Sequence, residues 1–262
     1  MIAPDQPPSE RTIVDSFYLD QHEVMVGRLR AFVASYDAWR ARGEPSEGAG
    51  AHPSDESTGW RKAWDTAIPR TAEEFALAIR ECSGTPYSTF LPGYDSFPAN
   101  CVSWHEAFAF CLWDGGRLPT EAEHMYATAG GGQNRLYPWG SFPEPTPDHA
   151  VYGCSVTDEG TEFSCSLADI LPVGSRPLGA GRWTHQDLAG SMAEWVFDGS
   201  TELPPYGAYN PVRIGDERIR MLRGGDWGSS PAQLSNAYRS GAESTSRLYL
   251  WGFRCARDTA RP

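Results

Sequence analysis

Glycine, proline and tryptophan constrain the fold of this chain more than any other feature of its sequence. The 262 residues include 27 glycines and 21 prolines, which interrupt regular helices and strands at short intervals. Ten tryptophans supply large apolar side chains around which the intervening turns can pack. This combination predicts a loop-rich fold held together by aromatic packing, and it excludes a helical bundle.

Helical patterns are concentrated in the first half of the chain. A strand-like run at residues 17–19 precedes a helix in which Val26, Leu29 and Val33 have helical spacing. A second helix is predicted over residues 71–82, which begin with a threonine three residues before a glutamate.

Two more helices are predicted in the middle of the chain. Each begins with a hydroxyl residue three positions before a glutamate, the spacing of a capping box: Ser103 with Glu106, and Thr120 with Glu123. His105 and His124 lie in the first turns of these helices, beside glutamates, and are interpreted as surface residues.

The second half of the chain has a different character, with short strands and long turns after residue 135. We therefore predict a single α+β domain over residues 15–258, with a flexible leader (1–14) and a short tail (259–262). Residues 41–59 are small, polar and rich in proline and glycine, so we expect an exposed loop there.

Charge and hydropathy exclude two classes of partner. The formal net charge is −12 and no basic cluster is present, which disfavours nucleic-acid binding. No apolar run approaches the roughly 18 residues of a membrane span. The opening MIAPDQPPSE lacks the charged and apolar regions of a signal peptide.

The cysteines offer two interpretations. Their number is even and none forms a C-x-x-C pair, so a zinc ribbon is disfavoured; they are Cys82, Cys101, Cys111, Cys154, Cys165 and Cys255. Up to three disulfides would indicate an extracytoplasmic, periplasmic or secreted protein. Buried free thiols are the alternative.

Several catalytic motifs are missing from the sequence. The glycines at 224 and 225 are not followed by the lysine of a phosphate-binding loop, and there is no G-x-S-x-G nucleophile motif. No pair of histidines has the spacing of an iron or zinc site. Glu194 lies in an apolar stretch, where a carboxylate needs either an arginine or a metal as its partner.

Five segments together resemble one known family. In chain order they are NCVSWHEAFAFCLWDGGRLPTEAEHMYATAGG, YPWG, DLAGSMAEWVFD, RGGDW and GFRCA. Over residues 15–258 the chain is identified as a member of the formylglycine-generating-enzyme-like, or sulfatase-modifying-factor, family. The resemblance implies a loop-rich variant of the C-type-lectin fold, which agrees with the predicted α+β class.

The resemblance also implies a set of disulfides. Family members often join a cysteine of the middle helix to the one in the GFRC element, here Cys111 and Cys255. The remaining pairs, Cys82 with Cys101 and Cys154 with Cys165, are then expected from proximity alone.

The residues that matter for the family's chemistry are changed. Formylglycine-generating enzymes bind copper through two cysteines that follow the RGG-S-W element, and those positions fall on Ser229 and Leu234 here. Neither residue supplies the soft thiolate that copper(I) prefers. Copper and formylglycine-generating oxidase activity are therefore not expected.

A calcium site is expected on the same basis. The family's G-N-x-x-E-W element binds calcium, and its asparagine and glutamate correspond to Ser191 and Glu194. A serine hydroxyl is a weaker oxygen ligand than an amide carbonyl.

These observations favour an extracytoplasmic binding module for a glycan, peptide or protein. Its candidate ligand-binding residues combine rings with hydrogen-bonding groups: Asp226, Trp227, Ser229, Asn236, Tyr238 and Arg239. The alternative is a divergent oxidoreductase of the same family that acts on a small molecule or peptide.

Overall fold

The two ends of the domain pair with each other. In the computed structural model, which describes residues 12–154, 165–199, 207–214 and 218–259, strand β1 (Phe17–Leu19) runs antiparallel to the last strand, β6 (Ala256–Asp258). Ile13 also bridges to Tyr209, so ordered structure begins before residue 15. The proposed leader and tail otherwise lie largely outside the described residues.

Four helices and a four-stranded sheet make up most of the remaining regular structure. The helices are α1 (Val26–Ala41), α2 (Ala72–Glu81), α3 (Trp104–Trp113) and α4 (Glu121–Thr128). The sheet has the order β4-β3-β2-β5, formed by β2 (Ala193–Trp195), β3 (Ile219–Arg223), β4 (Arg239–Glu243) and β5 (Trp251–Gly252). The predicted α+β class is confirmed.

The predicted helices begin where their capping residues indicate. Ser103 and Thr120 each accept a hydrogen bond from the backbone N–H of the glutamate three residues on, and that glutamate accepts one in return. The two reciprocal bonds satisfy N–H groups that a helix otherwise leaves without partners.

Among the residues that the structure describes, none of the helices has the length and apolar character that a membrane span requires.

Aromatic packing forms the core, as the composition predicts. Phe32 of α1 contacts the rings of Tyr36, Trp39, Phe75 and Phe110 edge to face, with ring centroids 5.3–5.6 Å apart. Edge-to-face contacts align the positive edge of one ring with the negative face of another. This cluster joins α1, α2 and α3 into one layer beside the sheet.

The expectation of an exposed loop at residues 41–59 needs correction at particular positions. His52 and Thr58 are buried, and the backbone N–H of His52 donates to the Thr58 hydroxyl at 2.6 Å. Nε2 of His52 lies 3.5 Å from the buried carboxylate of Glu123 in α4. The segment therefore packs against the helical layer, although its small polar residues conceal this in the sequence.

All six cysteines are paired as the family resemblance and proximity implied. The disulfides are Cys82–Cys101, Cys111–Cys255 and Cys154–Cys165. Cys111–Cys255 joins α3 to the segment that leads into β6, across a sequence separation of 144 residues. The alternative of buried free thiols is wrong.

Candidate functional site

The site is built on the loop that joins β3 to β4, residues 224–238, which we call the rim loop. It leaves β3 through Gly224 and Gly225, which have φ angles of 92° and 70°. A side chain on Gly225 would place its Cβ only 2.7 Å from the carbonyl oxygen of Gln233. The two glycines therefore allow a sharp turn that folds the loop back onto itself.

In the first part of the rim loop, the side chains of Asp226 and Ser229 hydrogen-bond within the loop itself. The Asp226 carboxylate accepts the Gly228 N–H at 2.9 Å and the Ser229 hydroxyl at 3.1 Å. The Ser229 hydroxyl oxygen in turn accepts the Asp226 N–H at 3.0 Å. These bonds hold Ser229 inward, where it is buried, so it does not form part of an exposed ligand surface.

Trp227, a candidate ligand contact in the sequence, lies in the core instead. Its side chain is fully buried and its ring packs against those of Tyr87 and Tyr249, at centroid distances of 5.9 and 5.8 Å. The sequence alone does not show which tryptophans face the core, so it could not exclude Trp227 from the candidate ligand contacts. Trp227 is a structural anchor of the rim loop.

The second part of the rim loop surrounds a small cavity of about 10 Å³, which we call the His124 pit. Its polar lining residues include His124 and Thr128 of α4, Arg223 of β3, and Asn236 and Tyr238 of the rim loop. Such a volume is close to the space that one water molecule requires, about 10–15 Å³. The structure thus brings predicted residues Asn236 and Tyr238 together.

Arg223 holds the rim loop over the pit. Its guanidinium donates to the carbonyl oxygens of Tyr238 at 2.7 Å and Asn236 at 2.6 Å. It also lies 3.6 Å from Glu121, which binds the predicted site residue Arg239 at 2.6 Å. Burial lowers the pKa of Arg223 to about 10, although neighbouring Glu121 favours its charge.

A fully buried ion pair lies below the pit. The carboxylate of Glu194 in β2 accepts two hydrogen bonds from Arg254, at 2.8 and 2.6 Å. Burial raises the pKa of a carboxyl group, but Arg254 and His124 outweigh it and hold the pKa of Glu194 at about 2. Of the two kinds of partner that the sequence allowed for Glu194, an arginine or a metal, the structure shows the arginine.

His124 connects the ion pair to the pit. Its Nε2 lies 3.3 Å from a Glu194 oxygen, but neither ring nitrogen has a partner in hydrogen-bond geometry among the described residues. Burial lowers the pKa of His124, so the neutral ring is favoured near neutral pH. The interpretation of His124 as a surface residue is wrong, as it is for His105, which is also buried.

The expected calcium ligands are engaged with protein groups. Both Glu194 oxygens bind Arg254, and the Ser191 hydroxyl donates to Glu23 at 2.8 Å. Glu23 is buried, and burial together with Asp187 and Glu194 raises its pKa well above the usual range. A calcium ion on Glu194 would have to compete with a guanidinium cation, so these residues do not fit the ion.

The residues equivalent to the family's copper ligands do not fit copper either. The Ser229 hydroxyl is bonded within its own loop, and Leu234 is buried in an apolar cluster with Tyr137, Ala150 and Ala189. Every cysteine is in a disulfide, so none supplies a thiolate while the disulfides are intact.

Comparison with known proteins defines the class to which this fold and site belong. The model of the sulfatase-modifying factor enzyme 1-like domain matches residues 2–259, so the chain belongs to this family. It is similar to the formylglycine-generating enzyme of Mus musculus, with 30% identity over 274 residues, 97% of this chain and 69% of the relative.

Two other relatives differ in their assigned roles. "Inactive C-alpha-formylglycine-generating enzyme 2" of Bos taurus is 30% identical, over 63% of this chain and 52% of its own length. Hercynine oxygenase of Mycobacterium tuberculosis is 32% identical, over 62% of this chain and 37% of the oxygenase. Family membership therefore does not by itself fix an activity.

A solved structure confirms the fold. PvdO from Pseudomonas aeruginosa superposes with a TM-score of 0.57 at 22% identity, over 93% of this chain and 80% of that one.

Sequence reasoning missed the residues that organise the site. His124, Arg223 and Arg254 each belong to a recognised motif, but none was singled out as part of a buried network. The one available signal was Glu194, an unpaired carboxylate in an apolar segment that requires a buried partner.

Proposed function

We propose that this protein is an extracytoplasmic binding module that recognises a glycan, peptide or protein through its rim loop and does not generate formylglycine. The observation that carries the proposal is the His124 pit. Its volume of about 10 Å³ is far below the about 300–1,000 Å³ of cavities that enclose small-molecule substrates. A ligand at this site would therefore bind across the rim.

The outer part of the rim loop has side chains suited to such contacts. Gln233, Asn236 and Tyr238 are partly exposed, and Gln233 donates to the Tyr238 hydroxyl at 3.1 Å. This arrangement leaves the Tyr238 hydroxyl able to donate to a ligand, beside an aromatic ring of low conformational entropy. The polar ends of these side chains would set specificity.

The absence of a thiol pair supports the same conclusion. The positions that carry copper ligands in formylglycine-generating enzymes hold a bonded serine and a buried leucine, Ser229 and Leu234. Three disulfides, together using every cysteine, are typical of proteins from oxidising compartments and support an extracytoplasmic location.

A divergent oxidoreductase is the second candidate, and His124 favours it. A neutral, buried imidazole beside Glu194 is chemically able to accept a proton from a group in the pit. Hercynine oxygenase shows that an oxygenase occurs among the relatives of this chain. In this role the chain would act on a small molecule or peptide with a cofactor from outside.

The test compares binding and redox chemistry in one preparation of oxidatively folded protein. Glycan and peptide arrays would be probed with the wild type, with Tyr238→Ala in the rim loop, and with Tyr18→Ala as a matched control. Tyr18 is an exposed tyrosine on the separate β1–β6 sheet. We expect a ligand whose binding is lost only in Tyr238→Ala. Oxygen consumption that requires His124, with no such ligand, would contradict the binding module.

A further inference from the structure

A second, larger cavity lies outside the rim loop. It has a volume of about 340 Å³ and opens between residues 44–51, the end of α3 and strand β6. We call it the Glu44 cleft. Its size is at the lower end of the about 300–1,000 Å³ range of small-molecule sites. In the described part of the chain, the cleft and the His124 pit share no lining residue.

One wall of the cleft is apolar and made by small residues. Ala49, Gly50 and Ala51 line this wall together with Leu112 at the end of α3. A Cβ on Gly50 would come within 2.3 Å of a Leu112 methyl group, so glycine is what permits this close approach. The wall can accommodate an aliphatic stem but supplies few hydrogen bonds.

Both arginines of the cleft are already neutralised. Arg117 binds Glu123 with two bonds of 2.7 Å and binds one oxygen of Asp258. Arg257 forms ion pairs with Asp20 and Asp114. The charge of each guanidinium is therefore already balanced by carboxylates of the chain.

Carboxylate oxygens remain available on the walls. Among the described residues Glu44 has no ion-pair partner, and only one of its oxygens accepts a bond, from the Ser46 N–H at 2.9 Å. Asp258 is 38% exposed and uses a single oxygen for both bonds from Arg117. Among the described residues that line it, the cleft therefore presents unpaired carboxylate oxygens, and its two arginines are paired with carboxylates.

Two cations that contact the backbone around Glu44 do not change this result. Arg40 donates to the main-chain oxygen of Glu44, and Lys62 donates to those of Gly43 and Pro45, all at 2.7 Å. Each of these two cations also lies 3.4 Å from the carboxylate of Asp65. They bind the backbone of the segment and leave the Glu44 carboxylate unpaired.

From this geometry we propose that the Glu44 cleft binds an alkylammonium group, with the charged head on the free carboxylate oxygens of Glu44 and Asp258 and the aliphatic stem on Ala49 and Leu112. The same chemistry occurs in free aliphatic amines and in lysine side chains. A net charge of −12 on the chain would further favour the approach of a cation.

The test titrates the intact, oxidatively folded chain with 1,5-diaminopentane and with a short lysine-containing peptide, and follows cleft resonances by NMR. We expect saturable binding that Glu44→Gln weakens by about tenfold or more, because a charged hydrogen bond is lost. Glu56→Gln, an exposed carboxylate of the same segment that does not line the cleft, should bind as the wild type.

The two ligands distinguish the sources. Tighter binding of the diamine assigns the cleft to a small amine, and tighter binding of the peptide assigns it to a protein lysine. The neutral 1-pentanol and the anionic glutarate are the controls for charge. Equal binding of either control, no saturable shift with either amine, or an unchanged affinity in Glu44→Gln would overturn the proposal.

Discussion

The guanidinium of Arg254 forms two hydrogen bonds, of 2.8 and 2.6 Å, with the carboxylate of Glu194, and both side chains are almost completely buried. The pair ties the end of the domain to the inner strand β2, beside His124, which lines the pit. Removing the cation would leave an uncompensated charge in the interior.

The first prediction follows from this pair. Arg254→Met should lower the free energy of unfolding by about 3–5 kcal/mol, while the double variant with Glu194→Leu should recover much of the loss. Chemical denaturation under oxidising conditions measures both. If the loss of unfolding free energy in the double variant equals the sum of the losses in the two single variants, the two residues are not energetically coupled.

Asp198 gives a second prediction, on pH. Burial raises its pKa to about 7, although its oxygens accept the N–H groups of Glu121 and Arg213. A raised carboxyl pKa contributes stability that is present at low pH and is lost as the pH rises through about 7.

In the Asp198→Asn variant, the free energy of unfolding should therefore fall less between roughly pH 4 and 7 than in the wild type, even if the variant is less stable throughout. Denaturation at a series of pH values gives this slope. Asp148→Asn, a change at an exposed carboxylate with no ion pair among the described residues, is the control. An unchanged slope in Asp198→Asn would show that this carboxyl does not titrate in that range.

A third prediction separates the two aromatic residues of the rim loop. Trp227→Ala should cost about 3–5 kcal/mol of stability, because it removes a fully buried ring from the core. Tyr238→Ala should change stability much less, since its side chain is partly exposed. Thermal melts of the two variants would contradict the assignment if their order were reversed.

The disulfides provide a fourth prediction. In the chain-entropy model, Cys111–Cys255 should stabilise by about 5 kcal/mol, and each of the other two bridges by about 3 kcal/mol. The difference arises because the first closes a separation of 144 residues, against 19 and 11 for the others. Paired Cys→Ala variants, compared by denaturation, would contradict the model if Cys111–Cys255 had the smallest effect.

Sequence patterns were most informative where they depend on local chemistry. The capping residues Ser103 and Thr120 marked the starts of α3 and α4, because the bonds they make involve only neighbours. The family motifs correctly implied the Cys111–Cys255 bridge. Local patterns could not show that His124 is buried, since its burial depends on β2 and the rim loop, which lie far away in the chain.

The candidate site was therefore only partly predictable. Asn236 and Tyr238 do line the pit, whereas Trp227 and Ser229 face inward. The calcium expectation rested on Ser191 and Glu194 as free oxygen ligands, and the sequence does not reveal which of the chain's arginines reaches Glu194.

The central claim is that this member of the sulfatase-modifying factor family recognises a ligand without a redox metal. Elemental mass spectrometry of protein folded under oxidising conditions, after exposure to copper and iron and removal of the excess, tests it most directly. The account predicts neither metal in stoichiometric amount, because Ser229, Leu234 and the paired cysteines offer copper no thiolate, and no pair of histidines has the spacing of an iron site. Copper or iron at a stoichiometric level would contradict the account and establish a redox site in this fold.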